Sequence, residues 1–216
     1  MSSSQRLTTT SYAILGLLAV RSCSTYELTR QMAWSLGRFW PRAKSKLFEE
    51  PKKLEALGLV SSRADRVGKR ERRVYTITAR GRRALAAWHS EPSTGFALEA
   101  EPLLRVFLAD QGTRGDTLAM LTAVRSWAEE RNAGNLKAGR VFLAAGTELQ
   151  SRAATTMLVG AFLTDFYKLV FDWAEWASRQ VADWPDDPAG AIPNLDELNA
   201  IVARAQWSEH RALPGE

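Results

Sequence analysis

Pro41–Arg80 reads PRAKSKLFEEPKKLEALGLVSSRADRVGKRERRVYTITAR, and the parsing of this stretch decides the fold. Its first half carries apolar residues at helical spacing. Set at about 100° per residue from Leu47, Trp40, Ala43, Pro51 and Leu54 fall within about 40° and make one core stripe. Arg42, Ser45, Glu49, Lys52 and Lys53 fall on the opposite face, with Lys46 and Phe48 flanking. Pro41 suits the first turn of a helix, and Gly58 suits its end just beyond Leu57. The second half changes period. Leu59–Ala64 and Arg73–Thr78 are strand candidates, and Asp65–Arg72 between them is polar and basic with Gly68 at its centre. That pattern predicts a hairpin with a charged tip.

Working outward, Tyr12, Leu15 and Leu18 with Ile14 and Leu17 predict a buried helix from about Leu7. Ser24 and Glu27 stand at capping-box spacing ahead of a second helix that carries Leu28 and Met32 to about Ser35 and ends at Gly37. Thr78 caps a fourth helix through Trp88. After a Pro92–Gly95 linker the chain reads as helices over Glu101–Asp110, Thr113 to about Gln150 and Ala153 to about Trp184. A loop over Pro185–Pro193 follows, then a last helix capped by Asn194 and running to about Trp207. Gly134, Gly139 and Gly146 each cost the long middle helix about 1 kcal/mol relative to Ala, which predicts a bend or break there. The fold expected is mainly α with a small two-stranded wing. Residues 7–91 form a winged helix-turn-helix domain and 96–207 a helical dimerisation and effector domain, with disordered tails at 1–6 and 208–216.

Charge divides along the same boundary. Residues 1–90 hold 18 Lys/Arg against 6 Asp/Glu, whereas 91–216 hold 11 against 18. The first part therefore suits a polyanion and the second does not. A helix held by one apolar stripe and showing a mostly basic face fits a major groove, its N-terminal residues nearest the base edges. The candidate DNA-contacting residues on this helix are Arg42, Lys44, Ser45, Lys46, Phe48, Glu49, Lys52 and Lys53. Arg42 and Lys46 suit guanine, and Glu49 either accepts from cytosine or is balanced by Lys52 and Lys53. Lys69, Arg70, Arg72 and Arg73, with Arg66, suit phosphate contacts from the hairpin or its entry into the minor groove. Alone, a basic hairpin or a charged helix face is commonly a solvated surface; both together, in this order, point to duplex DNA.

Within this frame the chain resembles the PadR family of bacterial regulators. The resemblance rests on Leu7-Thr8 with Ser11–Leu18 (SYAILGLL), Tyr26-Glu27-Leu28, Ser45-Lys46-Leu47-Phe48, Lys53–Val60 (KLEALGLV) and Val74–Gly81 (VYTITARG). Glu99–Asp110, including Pro102–Phe107 (PLLRVF), resembles the start of the family's C-terminal helical domain. Three positions depart from the pattern. Thr25 replaces a usual Gly, Phe48 replaces a usual Tyr and so has no hydroxyl for a phosphate, and Pro51 replaces a usual Leu inside the recognition helix. Pro51 removes a backbone hydrogen bond to Leu47, which predicts a kinked or split helix. The resemblance implies a repressor that leaves its operator when an effector binds the C-terminal domain or its junction.

The helix over Ala153–Trp184 is expected to make a homodimer. Relative to Leu158, the residues Phe162, Leu169, Trp173 and Trp176 form one apolar stripe, and Val159, Leu163, Phe166, Val170, Ala177 and Val181 form a second. One partner helix cannot cover so wide an arc, so a second subunit is the expected cover, through Leu158, Phe162, Phe166, Leu169, Val170 and Trp173. The polar edge bears Asp165, Lys168, Asp172, Glu175 and Arg179 and is acidic on balance, which disfavours anionic lipid as the alternative. The dimer predicts an inverted-repeat operator in double-stranded DNA. Trp88, Trp127, Trp173 and Trp176 are candidates for an aromatic or planar effector, although core packing also accounts for them.

Other classes find little support. Cys23 is the only cysteine, which excludes an internal disulfide and suits a cytoplasmic setting. His89 and His210 stand far apart in sequence, so with one Cys no usual zinc set forms and no metal or cofactor is expected. Motifs of serine hydrolases, zincins and phosphate loops are missing, and an enzyme is not expected. The run Ala13–Val20 is too short to span a bilayer, and Arg6 alone is a weak lead-in for a signal peptide. The remaining alternative is a helical interaction protein whose basic half binds RNA or a protein; salt titration of duplex binding separates the two.

Overall fold

The computed structural model describes residues 7–40, 44–67, 70–144 and 152–208, with the backbone alone at 44–46, 67 and 70. The chain forms two units that divide after Phe96.

In the first unit, α1 (Thr9–Val20) starts at a capping box in which Thr8 and Ser11 exchange side-chain to backbone hydrogen bonds. A two-residue strand β1 (Cys23–Ser24) precedes α2 (Thr25–Trp34). The expected Ser24–Glu27 box is present: Ser24 N donates to Glu27 Oε2 at 2.7 Å and Glu27 N to Ser24 Oγ at 3.3 Å. Helix α2 ends one residue before Ser35, and Gly37 sits inside a short 3₁₀ turn over Leu36–Arg38 rather than at the helix stop. Helix α3 (Lys44–Ala56) runs on through Pro51 and is not split. The proline ring is fully buried, so its packing offsets the lost hydrogen bond.

Two long strands follow, β2 (Val60–Val67) and β3 (Arg70–Ile77), and then α4 (Ala79–His89). The hairpin corrects the expectation in one respect. Its ladder pairs Asp65 with Arg72 and Arg66 with Glu71, so residues assigned to the tip belong to the strands. Opposite charges facing each other across the ladder stabilise pairing where polarity had suggested a loop. Strand β1 adds a third strand, giving the order β1-β3-β2. Ile14, Leu15, Leu18, Leu28, Leu47, Leu54, Leu59, Tyr75 and Ile77 share one core.

Two glycines set the geometry between the helices and the hairpin. Gly58 adopts φ 67°, Leu59 N donates to Leu54 O at 2.9 Å and Gly58 N donates to Glu55 O at 2.9 Å. This C-terminal cap turns the chain from α3 directly into β2. At Gly81 an added Cβ would lie 2.1 Å from Leu59 O, so only glycine lets α4 pack on the start of β2. Thr78 caps α4 as expected, accepting from Gly81 N at 3.1 Å.

The second unit contains α5 (Glu101–Phe107), α6 (Arg114–Leu143), α7 (Ala153–Ala182) and α8 (Leu195–Ala205). Helix α5 is shorter than expected, giving way to a 3₁₀ turn at Ala109–Gln111. Thr113 and Asp116 box the start of α6, and Asn194 Oδ1 caps α8 by accepting from Asp196 N and Glu197 N. Helix α6 passes through Gly134 and Gly139 unbroken and ends at Leu143, seven residues short of Gln150, while Gly146 lies outside the described residues. Arg114 closes the opposite end of the helical pair: it bonds Ala182 O and Trp184 O and pairs with Asp186 at 2.6 Å. Leu163, Tyr167, Ala174, Ala177 and Val181 of α7 are buried, whereas Leu158, Phe162 and Leu169 are exposed.

Candidate nucleic-acid interface

Helix α3 is anchored by its apolar stripe. Leu47, Pro51 and Leu54 are buried as the spacing required. Ser11 Oγ donates to Glu50, a tie from α1 to α3, and Glu50 also pairs with Lys53 at 3.5 Å. Lys53 is therefore half-buried at the edge of the stripe and stands apart from the outward face. Phe48, Glu49 and Lys52 are exposed, Phe48 by 47%. Lys44, Ser45 and Lys46 form the first turn of α3, while Arg42 lies outside the described residues.

The hairpin is tied to both neighbouring helices. Arg72 reaches Glu27 of α2 at 3.3 Å and Asp65 across the ladder at 2.8 Å. Arg73 reaches Glu55 of α3 at 3.4 Å, and Glu55 also accepts from Ser62 Oγ at 2.6 Å. These two arginines thus hold the wing against the helices. The hydrogen bond from the Ser24 hydroxyl, followed by that from the Ser24 backbone and by Arg72, keeps the Glu27 carboxyl below the ordinary range. Asp65 is held below its usual range chiefly by the hydrogen bond from Arg72, and the Arg72 guanidinium is raised chiefly by Asp65.

Arg66 pairs with Glu71 at 3.2 Å, both side chains well exposed. Arg70 opens β3, and Lys69 lies outside the described residues. Arg63, not among the residues expected from sequence, is exposed on β2 and has no hydrogen bond or ion pair among the described residues. Alternation with buried Val60 is the sequence signal that places Arg63 on the outer face of β2.

The tryptophans separate. Trp88 stacks on Tyr12 with ring centres 4.8 Å apart and planes 8° from parallel, within the first unit. In the second unit Trp127 meets Tyr167 edge-on at 5.8 Å, and Arg131 lies over its ring at 5.6 Å. Trp173 and Trp176 pack around Leu121, Ala177 and Val181, and Trp176 Nε1 donates to Glu197 of α8 at 3.0 Å. Each ring therefore has a packing role inside its own unit. Of the dimerisation candidates, Leu158, Phe162 and Leu169 are exposed, while Phe166, Val170 and Trp173 are half-buried.

Residues 14–87 match the family described as "Transcriptional regulator PadR-like family". "Probable transcriptional regulator Rv1176c" of Mycobacterium tuberculosis is 30% identical over 195 residues, spanning 84% of this chain and 96% of that protein. "Negative transcriptional regulator PadR" of Bacillus subtilis (strain 168) is 38% identical over 78 residues, 36% of this chain and 43% of that protein. That second match thus spans under half of the Bacillus protein. Among solved structures, Bacillus subtilis PadR in complex with operator DNA is similar with TM-score 0.69 at 22% identity, over 81% of this chain and 99% of that one. Bacillus subtilis PadR in complex with p-coumaric acid is similar with TM-score 0.62 at 22% identity, over 80% and 95%. At these identities the likeness to the solved structures is one of fold.

Proposed function

The chain belongs to the PadR-like family of transcriptional regulators, and from that premise we propose that it is a repressor that binds an inverted-repeat operator as a homodimer and leaves it when a small aromatic molecule binds. The observation that carries this reading is the build of α3. A buried stripe of Leu47, Pro51 and Leu54 fixes the helix while Phe48, Glu49 and Lys52 face outward, beside a hairpin clamped by Arg72 and Arg73. A groove-reading helix needs that rigidity, because base contacts require placement to a fraction of an ångström. Arg42, Lys44, Ser45 and Lys46 are assigned to the same groove, and Lys69 and Arg70 to phosphates at the wing tip. Arg63 joins them as a phosphate contact. The chain acts by binding rather than by catalysis, and in the cytoplasm.

The aromatic effector is supported by the Bacillus protein's complex with p-coumaric acid and by the partly exposed ring of Trp127. Exposed Leu158, Phe162 and Leu169 support a second copy of α7 as the dimer partner. By length and composition α7 is also apolar enough to cross a membrane. Asp165, Lys168, Asp172 and Glu175 mark a polar edge along it, and Lys168 pairs with Asp172 at 2.6 Å. That edge favours water and a protein partner over lipid.

The test is selection of duplexes by the full chain, followed by titration of salt and of hydroxycinnamic acids. The expected result is an inverted repeat bound over competitor DNA, with affinity falling steeply in salt and at least one acid that both quenches tryptophan and releases the DNA. Binding indifferent to sequence overturns the operator reading, and ligands that quench without releasing DNA overturn the effector reading.

A further inference from the structure

The acidic residues of the first 90 positions are used unequally. Glu27 is bound by Ser24 and Arg72, Glu50 by Ser11 and Lys53, Glu55 by Ser62 and Arg73, Asp65 by Arg72, and Glu71 by Arg66. Glu49 alone of the six has no hydrogen bond or ion pair among the described residues. It stands on the outward face of α3, next to Phe48, the large apolar side chain left exposed on that helix. Neither feature serves the fold. An unpaired carboxylate brought toward DNA phosphates is repelled and loses water, so it is tolerated only where a donor meets it. An exposed phenyl ring is likewise uncovered until something apolar packs on it.

The major groove offers one partner for each. The N4 amino group of cytosine is its donor to carboxylates, and the C5-methyl of thymine is its apolar knob. Resting on the operator reading above, we propose that Glu49 and Phe48 are specificity-determining residues. Glu49 accepts a hydrogen bond from cytosine N4, and Phe48 packs on a thymine methyl at a neighbouring base pair of the same half-site. Consecutive helical side chains leave the axis about 100° apart, so the two residues reach different base pairs of the half-site. Five internally satisfied acids around one that has no partner among the described residues also give the surface a discriminating element. A half-site lacking cytosine at that position leaves a desolvated charge unpaired, which penalises wrong sequences more than it rewards the right one.

The experiment uses the full chain and the operator that it selects. Replacing thymine by deoxyuridine at each half-site position removes one methyl at a time. At one position the loss should be about three- to five-fold for the wild type, the worth of one buried methyl. At that position the Phe48→Ala variant should bind thymine and deoxyuridine alike. Glu49→Gln should shift preference at one base pair from cytosine toward adenine by about ten-fold or more, because a Gln amide pairs with adenine. Deoxyuridine without effect at every position, or with equal effect on wild type and Phe48→Ala, overturns the thymine assignment. A cytosine preference unchanged in Glu49→Gln overturns the cytosine assignment. Failure of the wild type to select any sequence is a separate result that overturns the operator reading beneath both.

Discussion

Replacing Leu158 and Leu169 together by Ala should dissolve the proposed homodimer while leaving the subunit folded. Their exposures are 67% and 64%, so about two thirds of each residue is left uncovered in the subunit. Burying a whole Leu is worth about 1.5–3 kcal/mol, and truncation to Ala forfeits roughly 1–1.5 kcal/mol of the part still exposed. In a two-fold interface each substitution counts twice. The loss is then about 4–6 kcal/mol, which weakens dimerisation by about 10³- to 10⁴-fold. Subunit stability should change by no more than about 0.5 kcal/mol, as for other surface positions, with a slight gain from Ala in a helix. Sedimentation equilibrium across nanomolar to micromolar protein reads the first effect, and circular dichroism melts read the second. Operator affinity should fall with the dimer, since the second half-site no longer binds intramolecularly. A variant that stays dimeric at the wild-type dissociation constant refutes the assignment of this face. A melting temperature lowered by many degrees refutes the premise that it is free within the subunit.

Gly81→Ala should destabilise the first unit: its methyl would lie 2.1 Å from Leu59 O and 2.9 Å from Ile77 Cγ1, and overpacking of about 1–3 kcal/mol outweighs the gain of about 1 kcal/mol from Ala in a helix. An unchanged melting temperature contradicts this. Arg72→Ala should weaken operator binding without changing the salt slope, because Arg72 is spent on Glu27 and Asp65, whereas Arg63→Ala should lower the slope by about 0.9. The reverse pattern in the two titrations shows that Arg72 contacts phosphate directly. Glu27 and Asp65 both have folded carboxyls held below their ordinary values, so their contribution is present above the ordinary carboxylate range and is lost as pH falls through and below it. Glu27→Gln and Asp65→Asn should each flatten the acid-side decline in denaturant midpoint, and a decline unchanged in both variants counts against the network.

Much of this molecule is local in origin and so was legible from the chain alone. The capping pairs Ser24–Glu27 and Thr78–Gly81, the stripe of Leu47, Pro51 and Leu54, and the Asn194 cap each depend on residues within about one or two helical turns. Periodicity and side-chain chemistry suffice for these. The charge division at about residue 90 is equally a property of composition, and with the helix-hairpin order it pointed to DNA. Three matters required the tertiary structure. Arg72 and Arg73 read as free cations until Glu27, 45 positions away, and Glu55, 18 positions away, were brought against them. Two apolar stripes on α7 were equivalent by periodicity, and only packing on α6 showed which is used: Leu163, Ala177 and Val181 turn inward and Leu158 is left outside. The hairpin's length followed from charge pairing across the ladder, where polarity in sequence had suggested a turn. A charge or an apolar group carries no label for its partner, and the partner is chosen by which distant elements the folded backbone sets within a few ångströms.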